Sequence, residues 1–104
     1  MKVPRRISIG AHSYSISYDS KLEERHKKLG LIDITNGIIL IEPKQINSAK
    51  TDTLLHELLH VINFYYCNRS IDEDYIQYFA TGLSNLLHGL GLELDWDDII
   101  EEEK

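Results

Sequence analysis

One cysteine, one methionine, one tryptophan and two prolines in 104 residues remove several possibilities at the outset. A lone thiol, Cys67, cannot staple a fold, and a chain without disulfides fits a reducing compartment better than an oxidising one. Cys67 itself reads as a small apolar residue near a helix end, not as a nucleophile. Long apolar runs are also missing: the longest is Ile38 to Ile41. Lys2, Arg5 and Arg6 are followed by no hydrophobic stretch. No signal peptide, no membrane span and no membrane partner are therefore expected, and the expected location is cytoplasmic.

Basic charge is scarce where a nucleic acid would need it. The formal net charge is −6, unevenly spread. Residues 1–50 carry nine Lys/Arg against five Asp/Glu, and residues 51–104 carry two against twelve. The basic residues of the first half occur as isolated pairs, Arg5-Arg6 and Lys27-Lys28, and phosphate would be repelled by the whole. No nucleic-acid partner is expected. Part of the acidic excess is the tail from Asp95 to Glu103, which reads as a solvated end.

What is present suits one compact domain over residues 1–104, with 42% hydrophobic residues to supply a single core. Tyr14-Ser-Ile-Ser-Tyr18 alternates apolar and hydroxyl residues, the pattern of a half-buried strand, and Ile7 and Ile9 begin the same pattern. Asn36-Gly37 between Leu31–Ile34 and Ile38–Glu42 predicts a β-hairpin, closed by Pro43. Asp19 to Leu29 is a short helix or loop that Gly30 ends. From Asn47 the spacing turns helical. Asn47 or Ser48 can cap the first long helix, Leu55, Leu58, Leu59 and Ile62 recur along it, and Asn68 stops it. A second helix starts near Ser70 or Asp72, with an apolar stripe of Ile76, Phe79, Ala80, Leu83, Leu86 and Leu87, and breaks at Gly89. Leu92 to Ile100 has no assignment. The expected fold class is α+β: a small, mainly antiparallel sheet followed by two packed helices.

The chemistry sits in His56-Glu57-Leu58-Leu59-His60. Residues four apart share a helix face, so both imidazoles can reach one zinc ion without bending the backbone, and Glu57 beside them can activate a water. The alternative is a helix with surface histidines. A catalytic zinc takes three protein ligands and keeps one open position. No third histidine follows closely, and His12 and His26 lie before the motif. Glu73, thirteen residues after His60, is the better third ligand, because a turn through Asn68-Arg69-Ser70 can bring a second helix back over the ion. Asp72 and Asp74 are neighbouring carboxylates. Glu73 has another reading: Ser70-Ile-Asp-Glu73 matches a capping box, in which it would bond its own helix end and need no metal.

His56-Glu-Leu-Leu-His60 followed by Glu73-Asp-Tyr-Ile-Gln-Tyr-Phe-Ala80 resembles the ImmA/IrrE-type and other minimal gluzincin metallopeptidases, many of them from phages and mobile elements. The resemblance covers roughly residues 30–87 and is specific only in the two helices. Ile76 is bulkier than the small residue often found at its position. The resemblance implies a zincin-like fold, a zinc cofactor, His56, His60 and Glu73 as metal ligands, and Glu57 as general base and acid. It gives Gln77 a role in orienting a ligand histidine, against the alternative of an ordinary exposed polar residue. It makes Ile38–Glu42 an exposed edge strand beside the cleft. The implied activity is peptide-bond hydrolysis on a protein or peptide substrate, which in that group is often a repressor. The competing function is a catalytically silent zinc-binding domain that serves as a protein-interaction module. A second oxyanion donor is open among Tyr65, Tyr66, Tyr75, Tyr78 and His88.

Overall fold

A computed structural model describes residues 1–102. The elements in order are β1 (Arg6–Ile9), β2 (His12–Tyr18), α1 (Leu22–His26), β3 (Gly30–Asp33), β4 (Ile38–Ile41), α2 (Asn47–Tyr66) and α3 (Glu73–Gly89). The four strands form one sheet in the order β1-β2-β4-β3. The chain is a small α+β structure, with three helices in place of the expected two; α1 fills the stretch between Asp19 and Leu29.

The expectation of a mainly antiparallel sheet is corrected: the sheet is mixed. β1–β2 and β3–β4 are antiparallel hairpins, but β2 and β4, which join them at the centre, run parallel from Ser15↔Ile38 to Tyr18↔Ile41. A parallel neighbour needs a crossover, and here α1 and β3 supply it. The expectation that Ile38–Glu42 is the edge strand is corrected with it. β4 lies inside the sheet, and the edges are β1 and β3. An unbroken Ile-Ile-Leu-Ile run suits a strand covered on both faces better than a half-exposed one, and Ile39, Leu40 and Ile41 are all buried.

The core gathers Val3, Tyr14, Ile16, Ile39, Ile41, Leu54 and Val61. Tyr14 and Ile16 come from the alternating face of β2, as its pattern predicts. Leu54 and Val61 lie on one face of α2, and Leu58 packs against the same cluster. Each such side chain contributes about 1.5–3 kcal/mol on burial. That layer holds α2 flat on the sheet and fixes which way its remaining faces look.

The acidic tail is only partly a solvated end. Trp96 and Ile99 are buried in the core, and the backbone pairs at both ends, with Val3 N–H donating to Asp95 O at 2.9 Å and Glu102 N–H to Tyr18 O at 2.7 Å. Charged residues alternate with the two anchors and stay in water. Glu103 lies outside the described residues. Lys50, itself buried, donates to the Tyr18 hydroxyl at 3.0 Å and lies over the Tyr18 ring. Trp96 Nε1–H donates to Thr51 at 3.3 Å. These contacts tie the tail to α2 and the sheet. No helix among the described residues is long and apolar enough to cross a membrane.

Candidate metal centre

Helix α2 begins one residue earlier than a side-chain cap at Asn47 would require. Ile46 is its N-cap and supplies no side-chain hydrogen bond, so neither Asn47 nor Ser48 caps it. Its last residue is Tyr66, and Asn68 and Arg69 then adopt left-handed φ of 51° and 58°. Asn tolerates that conformation well and arginine poorly. The strain is held by Asn63, a buried residue of α2. Its side-chain oxygen accepts from Ile71 N–H at 3.0 Å and its amide donates to Ile71 O at 3.1 Å. Its own carbonyl accepts from Arg69 N–H at 2.9 Å. One side chain thus clamps the whole return loop and sets where α3 starts.

Asp72 caps α3, its carboxylate accepting from Asp74 N–H at 2.9 Å. Ser70 is not the cap, so the capping-box reading of Glu73 does not hold. Glu73 turns instead to the histidines of α2. One carboxylate oxygen lies 2.9 Å from His56 Nε2 and the other 3.0 Å from His60 Nε2. The two Nε2 atoms are 3.1 Å apart. Glu57 is close by: His56, Glu57 and His60 offer donor atoms within 4.8 Å of one another.

This triangle can be tested against zinc. Four donors at bond lengths of about 2.0–2.1 Å around a tetrahedral ion stand about 3.3–3.4 Å apart. The separation of the two Nε2 atoms, and that of each ring from its own oxygen of Glu73, fall a few tenths of an ångström inside that value. Neutral imidazole nitrogens and a carboxylate are all lone-pair donors. Protons on the rings can satisfy the two contacts with Glu73 but leave two nitrogens facing each other, whereas one shared cation satisfies all three. The donor set fits zinc.

Glu57 is buried, and its Oε2 has no hydrogen-bond partner. Burial pushes its carboxyl above the ordinary carboxylate range; His56, and more weakly Lys28, pull it back, while Glu73 pushes it further. His56 Nδ1 is likewise buried and unpartnered. Gln77 does not orient it. The Gln77 amide donates to Thr81 Oγ1 at 3.2 Å, in place of the expected bond to a histidine, and Thr81 lies 3.3 Å from Asp52 on α2. Gln77 lines the cleft and helps to tie α3 to α2.

The cleft over these residues has a volume of about 1200 Å³. Its walls are β3 on one side and Glu73, Gln77 and Arg69 on the other, with α2 as the floor. Gly30 permits this closeness. A Cβ there would run into the Thr53 methyl and stand 3.3 Å from Glu57 Cγ. The five candidates for a second oxyanion donor do not line the cleft: Tyr65 stacks on His12 at 4.4 Å, Tyr66 is exposed at the end of α2, Tyr75 and Tyr78 are exposed on α3, and His88 is exposed beside Glu93. The cationic side chains on the cleft are Lys28 and Arg69, the latter over the Phe64 ring at 4.3 Å. Gly30, Asn63 and Arg69 were not singled out by sequence reasoning. A spacing signal existed for Asn63, which follows His56 by seven residues and His60 by three and so shares their face of α2; Gly30 and Arg69 were read only as a stop and a turn residue.

No family model matches the chain, and no curated protein or solved structure matches it.

Proposed function

We propose that this chain is a zinc-dependent peptidase, with His56, His60 and Glu73 as the metal ligands and Glu57 as general base and acid. The observation that carries the reading is the convergence of two Nε2 atoms and a carboxylate from the following helix within 3.1 Å of one another. The resemblance of both helices to minimal gluzincins of the ImmA/IrrE type supports it, as does the order of sheet, His-Glu-x-x-His helix and glutamate helix. Bound zinc would polarise the scissile carbonyl and lower the pKa of a water toward about 7. Glu57 takes the proton of the attacking water and then delivers it to the leaving amine. Burial of that carboxylate, with one oxygen unpartnered, leaves it free for this exchange.

The substrate is a protein or peptide in extended form. β3 is a sheet edge and forms the wall of the cleft. Its outer N–H and C=O groups can pair with a peptide laid along Gly30–Asp33. A repressor protein as substrate, and work in the cytoplasm, follow from the resemblance and from the unpaired Cys67. The competing function, a silent zinc-binding module, is separated by Glu57→Gln. Zinc-loaded wild type and variant are incubated with a peptide library and the products read by mass spectrometry. The expected result is unchanged zinc content with cleavage reduced about 10²–10⁴-fold in the variant. Equal cleavage by both proteins removes Glu57 from the chemistry. Bound zinc with no cleavage by wild type leaves the binding module.

A further inference from the structure

Most of the large apolar side chains of helix α3 are exposed. Of the expected stripe only Ile76 and Ala80 are buried. Phe79, Leu83 and Leu86 face solvent, together with Tyr75, Tyr78 and Leu90. Tyr75, Phe79, Gly82, Leu86 and Leu90 recur at spacings of four and three, so they form one continuous band along the helix. The exposures are 59% for Tyr75, 65% for Tyr78, 57% for Leu86 and 66% for Leu90. The six residues leave a patch of several hundred Å² in water, at the upper end of the about 300–600 Å² shown by the largest patch on a monomer, where such patches are often functional.

We infer that this band is the interface with a second copy of the same chain, made by antiparallel two-fold crossing of two α3 helices at Gly82. Three observations select that occupant. From Tyr75 to Leu92 the sequence contains no Asp, Glu, Lys or Arg. An acidic protein can therefore meet itself there without burying charge in the centre of the contact. The band is also complementary to itself when reversed. Its aromatic half, Tyr75, Tyr78 and Phe79, precedes Gly82, and its aliphatic half, Leu86 and Leu90, follows. A two-fold axis at Gly82 lays one half against the other in both directions, as an isologous contact requires. Finally, a Cβ at Gly82 would meet no atom within 4 Å. The backbone is bare there, and two helices can approach closely.

The area is of the right order for this occupant: a standard interface buries about 800 Å² per partner, and the exposed Asn85 and Gly89 extend the band at its rim. A lipid surface is disfavoured, because interfacial helices carry Lys or Arg on their polar face and α3 has none. Glu73, Gln77 and Thr81 run along another flank of the helix, so the crossing leaves the cleft open.

The test places a cysteine at the axis in a Cys67→Ser background. Gly82→Cys is expected to form a disulfide-linked dimer rapidly on mild oxidation at micromolar concentration. Asp98→Cys, exposed and away from α3, serves as the control. In parallel, sedimentation equilibrium of the unmodified chain is expected to show a dimer, and Leu86→Glu to weaken it at least about tenfold with an unchanged circular dichroism spectrum. Leu86 is exposed, so the charge does not threaten the fold. A chain that is monomeric at about 100 µM, well above the dissociation constants of stable dimers, overturns the inference. So does cross-linking at position 82 no faster than at position 98, or a dimer indifferent to Leu86→Glu. In those cases the band belongs to a different protein or to a further segment of chain.

Discussion

Replacing Glu73 by alanine separates a metal ligand from an ordinary surface acid. In the absence of zinc the change removes two contacts, of 2.9 and 3.0 Å, from a side chain that is 61% exposed. Exposed ionic contacts of that kind contribute about 0–1 kcal/mol, and a carboxylate in a first helical turn adds about 0.3–1 kcal/mol. The cap of α3 survives, because Asp72 provides it. The metal-free variant should therefore lose at most about 2 kcal/mol, which lowers its Tm by no more than about 16 °C. Zinc changes the comparison. At a free concentration of about one hundred times Kd, zinc stabilises a folded site by about 2.7 kcal/mol. For a chain of this size that raises Tm by about 11–22 °C. Loss of a supporting residue behind a ligand already costs about 10–100-fold in affinity, so loss of the ligand costs at least the upper figure. At the same zinc concentration the variant then gains only about 0.4 kcal/mol, or about 2–3 °C. Melts followed by circular dichroism, with chelator and with zinc, read both numbers. An equal zinc-induced rise in wild type and Glu73→Ala would refute the three-ligand site.

Asn63→Ala should leave both Ile71 backbone groups without partners, costing about 1–3 kcal/mol in a denaturant titration, and should weaken zinc binding about tenfold by releasing the loop that aims Glu73. Zinc affinity equal to wild type would show that α3 is held without this clamp. Gly30→Ala should cost about 1–3 kcal/mol through overpacking against Thr53 and reduce peptide cleavage by displacing Glu57; Thr53→Ser, which removes the opposing methyl, should restore much of both. A double variant no better than Gly30→Ala would place the effect elsewhere.

The parts of this protein that were legible in its sequence are those governed by neighbours in the chain. The spacing of His56 and His60 put their nitrogens on one face of a helix, and the Asn36-Gly37 turn joined β3 to β4. Alternation in Tyr14–Tyr18 named the buried side of β2, and the helix stops near Asn68 and Gly89 fell where the backbone leaves helical geometry. Each of these depends on interactions within a turn or two.

The rest required distant residues to meet. Parallel pairing of β2 with β4 is a choice between hairpins, and it moved the edge from Ile38–Ile41 to Gly30–Asp33. Trp96 and Ile99 looked like part of an acidic tail until the core gave them a place. Glu73 had two chemically sound partners, its own helix end and the histidines of α2; Asp72 occupied the first role, and the Asn63 clamp brought the carboxylate to the second. Local sequence sets which groups a residue can bond. Only packing decides which of them it reaches, because the entropy of bringing distant segments together is offset by burial that no single segment provides.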